Sequence, residues 1–345
     1  MDKVTCFVGL DYHQHSVQVC VLDESGRQLL NRSVANDWRQ IRDAVEPVGM
    51  VRRAALEACC GAADLGQELI ERAGWAVDLA HSGYVARLKQ SPDKSDYSDG
   101  RLLADLTRVG YLPRVFLPSA YERDLRQLVN HRQDLVDRRR AVKLRVGAVL
   151  REHRAKPPKE LSRWSKAWRL WARSTEGLSD HARWIVCELL EEEAELDKKV
   201  IKAEGRLRQA SDGDGLFKKL MKEEGIGEVT AWVLRAYVGD FSRFNNGKQL
   251  SRYCGLSPCN ASSGQRQSDA GLINGCNKLL RATLIQAAHR LGRTSDRWAG
   301  LKRSLVGRGK AKCVATAAVA NRWVRGLWHR LKADPQPPQQ PRTAE

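Results

Sequence analysis

Four acidic residues pose the first chemical question. Asp11 closes the apolar run Val8-Gly9-Leu10, Glu57 closes Ala55-Leu56, and Asp96 and Asp99 stand three apart. On a helix, residues at that spacing share a face. Carboxylates at the ends of adjacent strands can meet such a pair from a nearby helix. Four of them could hold two Mg²⁺ ions about 4 Å apart, an arrangement that stabilises the oxygens of a transferred phosphoryl group. Asp93 and Asp96 repeat the spacing, so the residues alone leave both pairs open. Asp11 also reads as a strand-end turn residue, and Ser95 or Asp96 as a helix N-cap.

A second set is polar rather than acidic. Residues 255–264, Gly-Leu-Ser-Pro-Cys-Asn-Ala-Ser-Ser-Gly, form a loop by composition. A serine there, Ser262 or Ser263, could attack a phosphodiester if its alkoxide were stabilised. Arg266, Lys278 and Arg281 follow as possible phosphate clamps. Taken alone, the stretch reads as an ordinary Ser-Gly turn, and no nearby histidine completes a hydrolase triad.

Positive charge is concentrated. The 345 residues hold 59 Lys and Arg against 41 acids, a formal +18, which calls for a strongly anionic partner such as nucleic acid. Between Arg138 and Arg173 there are 13 basic residues and two acids, Glu152 and Glu160. Arg138, Arg139, Arg140, Lys143 and Arg145 open that block. Arg163, Lys166 and Arg169 alternate with Trp164, Trp168 and Trp171, offering cations to phosphates and indoles to bases. The same pattern also reads as a solvated helix face over packed tryptophans. A second block, Arg290–Lys312, has eight basic residues and one acid, and includes Arg308 and Lys310 in a glycine loop.

The elements that must position these groups follow from periodicity. Residues 4–11, 16–23 and 28–34 alternate polar and apolar, a three-stranded meander. Asn36-Asp37 caps a helix to about 46. A strand at 52–58, a helix at 63–73 ended by Gly74, and a strand at 75–80 complete an α/β layer. A helix begins around 93–99 and carries Leu103, Leu106 and Val109 on one side; 111–117 is extended. From Ala120 the spacing is helical until Pro157-Pro158, and again over 180–208, which predicts two long antiparallel helices. Ser211-Asp212-Gly213-Asp214-Gly215 reads as a linker. Beyond it, Gly225-Ile226-Gly227 precedes a helix, 271–291 and 311–331 are helical, and the proline-rich 334–345 reads as a disordered tail.

Composition narrows the class further. At 42% hydrophobic and 29% charged the chain can fold, and no apolar run approaches the ~18 residues of a membrane span. Residue 2 is acidic and no secretory stretch follows. Nine cysteines without a CxxC pair suit a reducing, cytoplasmic setting.

Taken in order, these motifs resemble the Piv-like, or DEDD, insertion-sequence transposases and invertases, several of which are guided by a bridge RNA. Val8-Gly9-Leu10-Asp11 is similar to their first acidic motif and Ala55-Leu56-Glu57-Ala58 to the second. Lys94-Ser95-Asp96-Tyr97-Ser98-Asp99 is similar to their Lys-Thr-Asp-x-x-Asp, which favours 96/99 over Asp93. Gly225-Ile226-Gly227, Phe241–Phe244, Gln249-Leu250, Tyr253, Gly255-Leu256-Ser257-Pro258, Ser262-Ser263-Gly264 and Asn277-Lys278-Leu279-Leu280-Arg281 follow in the family's order. Cys59-Cys60 and Gly100 depart from it.

The resemblance implies an α/β, RuvC-like (ribonuclease-H-type) domain at 1–118, a basic helical or coiled-coil arm at 119–210, and a mainly α-helical transposase domain at 211–333. It implies Asp11, Glu57, Asp96 and Asp99 as Mg²⁺ ligands. Ser263, or else Ser262, would be the nucleophile of a covalent phosphoserine–DNA intermediate. The implied partners are donor and target DNA, a guide RNA, and further copies of the chain as a dimer of dimers, in the bacterial cytoplasm at the nucleoid. The rival expectations are a RuvC-like metal nuclease that cuts by activated water without serine chemistry, and a non-enzymatic nucleic-acid scaffold.

Overall fold

The computed structural model describes residues 4–89, 95–260 and 269–332. Asp93, Ser262, Ser263, Arg266 and the tail 334–345 lie outside the described residues. The chain divides into two compact units, Met1–Tyr121 and Glu122–Glu345.

The first unit runs β1 (Thr5–Tyr12), β2 (Ser16–Asp23), β3 (Gln28–Ala35), α1 (Trp38–Val45), β4 (Met50–Glu57), α2 (Ala62–Ala73), β5 (Val77–Ala80), α3 (Ser82–Leu88), α4 (Asp96–Arg108) and β6 (Arg114–Val115). Its six-stranded sheet has the order β3-β2-β1-β4-β5-β6. The meander β1–β3 is antiparallel, β1, β4 and β5 are parallel, and β6 returns antiparallel. Alternation along the strands explains the layers. Val8 and Leu10 of β1 and Ala54 and Leu56 of β4 pack on the side of α1 and α2. Ala55, Cys20 and Leu22 point the other way, toward α4. This mixed sheet with flanking helices is the RuvC-like, ribonuclease-H-type architecture.

Local signals act where the sequence places them. Asp37 caps α1 by accepting from the Arg39 and Gln40 amides, and Gly74 ends α2 in the left-handed region at φ +70. Two elements differ from expectation. Helix α3 has no acidic first turn and a glycine at its second position, so its start gives no sequence signal. The extended 111–117 stretch pairs over only two residues.

The second unit opens with α5 (Ala120–Glu152), whose first two residues belong to the first unit, then α6 (Lys166–Ser174) and α7 (Asp180–Ser211). A further group comprises α8 (Gly215–Met221), α9 (Glu228–Tyr237), α10 (Gly247–Tyr253), the hairpin β7 (Pro258–Asn260) and β8 (Asp269–Leu272), α11 (Lys278–Thr294), α12 (Asp296–Gly307) and α13 (Lys312–Lys332). The long helix and the mainly α-helical remainder agree with the expected class, but the stretch 271–291, expected as helix, opens in strand β8 and becomes helical only at Lys278. Leu135, Val142, Val146 and Leu150 of α5 share a core with Val186, Leu189, Leu196 and Val200 of α7. The glycine-rich 211–215 is a tight corner inside this unit. Asp214 is 4% exposed, caps α8 by accepting from the Phe217 amide, and takes Arg235 Nε at 2.6 Å.

Candidate metal centre

Strand parity gathers the acids of the first unit. Gly9, Asp11 and His13 fall on the α4 side of β1 and its end, opposite Val8 and Leu10. Glu57 ends β4 on that same side, and the pairing of Leu10 with Leu56 sets Asp11 and Glu57 next to each other at the C-terminal edge of two parallel strands. Helix α4 supplies the other pair. Ser95 is its N-cap, its hydroxyl accepting from the Ser98 amide at 3.2 Å. Asp96 and Asp99 therefore stand in the first turn, where a helix's exposed amides favour negative charge.

Helix α4 can reach the strands because Gly9 has no side chain. A Cβ on Gly9 would lie 2.0 Å from the Gly100 carbonyl oxygen and 2.4 Å from the Ala104 nitrogen. The first turn is also tied sideways to the meander. Gln28 Nε2 donates to Tyr97 Oη at 2.6 Å, and Asn31 Nδ2 donates to the Tyr97 carbonyl at 3.1 Å.

His13 links the two elements. Its Nε2 is 3.4 Å from Asp11 Oδ2 and 3.2 Å from Asp96 Oδ2. One donor atom from each of Asp11, His13 and Asp96 lies within 4.8 Å of the others, a grouping that could hold a metal ion. Burial pushes the Asp11 carboxyl up from its ordinary value; His13 opposes this, while Asp99, Asp96 and Glu57 add to it. All three other carboxylates are thus within electrostatic reach of Asp11. Asp99 is buried, and Lys89 Nζ donates to its Oδ2 at 2.7 Å.

A crowded set of carboxylates, with Asp11 partly desolvated, Asp99 buried and Asp96 exposed, together with one imidazole fits a divalent cation. The oxygens suit Mg²⁺ or Mn²⁺, and the imidazole is a donor that Mn²⁺ and heavier ions accept readily. His13 and Lys89 are the residues that sequence reading missed. The i, i+2 spacing of Asp11 and His13 at a strand end was the available signal for the first; nothing local marked the second.

The basic block of the second unit is built differently from a free cationic face. Arg139 pairs with Asp197, Lys143 Nζ with Glu193 at 3.1 Å, Arg145 with Glu192 at 3.9 Å and Arg173 with Glu191 at 3.7 Å. Arg169 clasps Glu193 through Nε and Nη2 at 3.0 and 2.9 Å. Trp168 is 2% exposed in the arm's core, with Trp164 and Trp171 packed against it, so the indoles face each other rather than solvent. Arg138, Arg140, Arg163 and Lys166 are exposed. In the last group Arg281 Nη1 donates to the Ile273 carbonyl at 2.7 Å, while Lys278, Arg308 and Lys310 are exposed.

Comparison with known proteins finds transposases. A profile described as a transposase family matches residues 8–154, and one described as the transposase IS116/IS110/IS902 family matches 218–302. The transposase for insertion sequence element IS1111A of Coxiella burnetii is 25% identical over 327 residues, covering 93% of this chain and 88% of the relative. A probable family 20 transposase of Pseudomonas aeruginosa is 26% identical, covering 94% and 93%. An insertion element IS116 uncharacterized 44.8 kDa protein of Streptomyces clavuligerus is 24% identical over 94% of each.

The expected serine mechanism is corrected by these findings. Among the described residues, the groups gathered so that they could hold a metal ion are Asp11, His13 and Asp96, within the segment matched by the transposase profile. Asp11, His13 and Asp96 would hold a divalent cation, which would supply an activated water for a phosphodiester without a nucleophile from the protein. A covalent phosphoserine intermediate at Ser262 or Ser263 is therefore set aside in favour of the metal-nuclease alternative.

Proposed function

The chain belongs to the IS116/IS110/IS902 family of transposases, and on that premise we propose that it cuts DNA phosphodiester bonds hydrolytically at the centre of Asp11, His13 and Asp96, with Mg²⁺ as the working cation. The observation that carries this reading is the convergence of three donor atoms within 4.8 Å at the ends of β1 and α4. When bound there, a divalent cation supplies Lewis acidity that stabilises developing charge on phosphate oxygens and acidifies water.

The chain's own groups do the positioning. Asp11 and Asp96 provide hard oxygen donors from a strand end and a helix start, and His13 fixes their separation. Glu57 and Asp99 extend the anionic face from β4 and α4, and Lys89 holds the Asp99 carboxylate in place. We assign catalytic roles to Asp11, Glu57, Asp96 and Asp99 within this proposal. We also assign phosphate contacts to exposed cations among Arg138, Arg140, Arg163, Lys166, Lys278, Arg308 and Lys310.

The proposal extends to a division of labour among 1–118, the arm 119–210 and the domain 211–333. It includes a guide RNA, assembly as a dimer of dimers, and work at the nucleoid. Support for the guide RNA and the assembly is the resemblance of the motifs; the +18 charge suits RNA as well as DNA. Among the described residues no helix is long and apolar enough to cross a membrane.

The test is cleavage of element-flanking DNA by the purified full chain, with co-purifying RNA retained, in Mg²⁺, Mn²⁺ or EDTA. Cutting that needs the cation and disappears in Asp96→Asn supports the proposal. Cutting that persists in EDTA, or in Asp96→Asn, would sink it.

A further inference from the structure

We propose that the face formed by α11, α12 and α13 is a phosphate-binding surface for duplex DNA, centred on Lys302, Arg303 and Lys312. A cleft of about 380 Å³ lies between these helices, with Gly292, Ala299 and Val306 as a small, apolar floor and the three cations around it. Gly292 makes room for one of them. A Cβ there would lie 2.8 Å from Lys302 Cδ and 3.6 Å from its Nζ, so the end of the Lys302 side chain, ammonium included, lies over the backbone of α11.

Pairing separates this surface from the arm. Among the described residues, five of the arm's thirteen cations are answered by acids of α7, as described above. The segment Arg290–Lys312 holds eight basic residues and one acid, Asp296. Asp296 lies in the first turn of α12, where it answers the helix's own amides. Among the described residues none of these eight cations forms an ion pair. Unanswered like charges packed on one face repel each other, and a polyanion relieves that repulsion while releasing its counterions.

The lining also discriminates between nucleic-acid forms. Among the described residues no aromatic side chain lines the cleft, and the neighbouring Trp298 is 5% exposed with Arg297 stacked over it. Unstacked bases of a single strand would find no platform here, whereas backbone phosphates find cations on both sides. The surface therefore grips DNA without reading its sequence. This inference rests on the DNA-acting function proposed above and assigns the grip to a place away from the acidic centre in sequence.

The test measures binding rather than cutting. Full-length protein in EDTA is titrated onto a labelled random-sequence DNA duplex by fluorescence anisotropy, between about 50 and 200 mM KCl. The triple variant Lys302→Gln, Arg303→Gln, Lys312→Gln should lower the slope of log K against log salt by about two to three, near one for each lost phosphate contact. The charge-conserving Lys302→Arg, Lys312→Arg variant should keep the wild-type slope. If the triple variant unfolds on heating much earlier than wild type, the three single variants replace it, each expected to lower the slope by about one. An unchanged slope in folded variants overturns the proposal. So does a loss seen only on an RNA duplex of the same sequence. Because EDTA abolishes cation-dependent cutting, failure here is distinct from failure of the Asp96→Asn cleavage test.

Discussion

A carboxylate that loses water and gains acidic neighbours holds its proton more tightly, and Asp11 is in that position beside Asp99, Asp96 and Glu57. A bound cation reverses the balance, so each donor matters for affinity. We expect Asp96→Asn and His13→Ala each to weaken Mn²⁺ binding by at least the ~10–100-fold typical of lost metal-site support, measured by calorimetric titration. Equal affinity in His13→Ala would remove the imidazole from the donor set. At this scale the sequence showed Asp11 and Glu57 through the apolar runs they terminate, and Asp96 and Asp99 through their shared helix face. His13 was hidden because it stands one residue beyond its strand and belongs to no motif. Lys89 was hidden because its contact with Asp99 crosses ten residues that carry no periodic signal.

The centre depends on how closely two elements approach. Helix α4 sits against β1 where Gly9 leaves no side chain, and the atoms a Cβ would strike are backbone, which cannot swing aside. Gly9→Ala should destabilise the fold by about 1–3 kcal/mol and weaken cation binding although no donor is lost. Gly100 is the contrast. A Cβ there meets Cys20 Cβ and the Gln18 carbonyl oxygen at 3.5 Å, ordinary contact, so Gly100→Ala should be neutral or gain up to about 1 kcal/mol in thermal unfolding. In the arm, Glu193 is 1% exposed between Arg169 and Lys143. Burial raises its pKa, but hydrogen bonds from Arg169 and Lys143 outweigh this and hold it below the ordinary 4.5. The folded state therefore binds fewer protons there than the unfolded chain. The contribution is complete above the ordinary value and is lost as pH falls through the lowered one. Glu193→Gln should cost about 1–3 kcal/mol near pH 7, and the gap from wild type should close at acid pH. The strands, the α1 cap and both long helices were legible because their signals lie within one element. The arm's ion pairs were not. A count over 138–173 sees 13 cations, while the acids that answer five of them lie on α7, beginning at Glu191.

For the whole molecule, net charge and local chemistry pull on different observables. A formal +18 draws DNA from a distance and makes affinity fall steeply with salt, whatever the acidic centre does. The acidic centre is a local patch of opposite sign within Met1–Tyr121. It repels phosphate unless a cation intervenes. Removing two of its charges in Asp11→Asn, Asp96→Asn should therefore abolish cutting yet leave the salt slope of DNA binding unchanged, with affinity in EDTA equal to wild type or tighter. The reasoning is Coulombic: two fewer anions facing a polyanion reduce repulsion, and the released counterions, which set the slope, belong to the cations elsewhere. Anisotropy at matched salt reads the affinity, and a denaturing gel in Mg²⁺ reads the cutting. A double variant that binds more weakly in EDTA would mean that Asp11 and Asp96 shape the DNA-binding surface rather than only holding a cation.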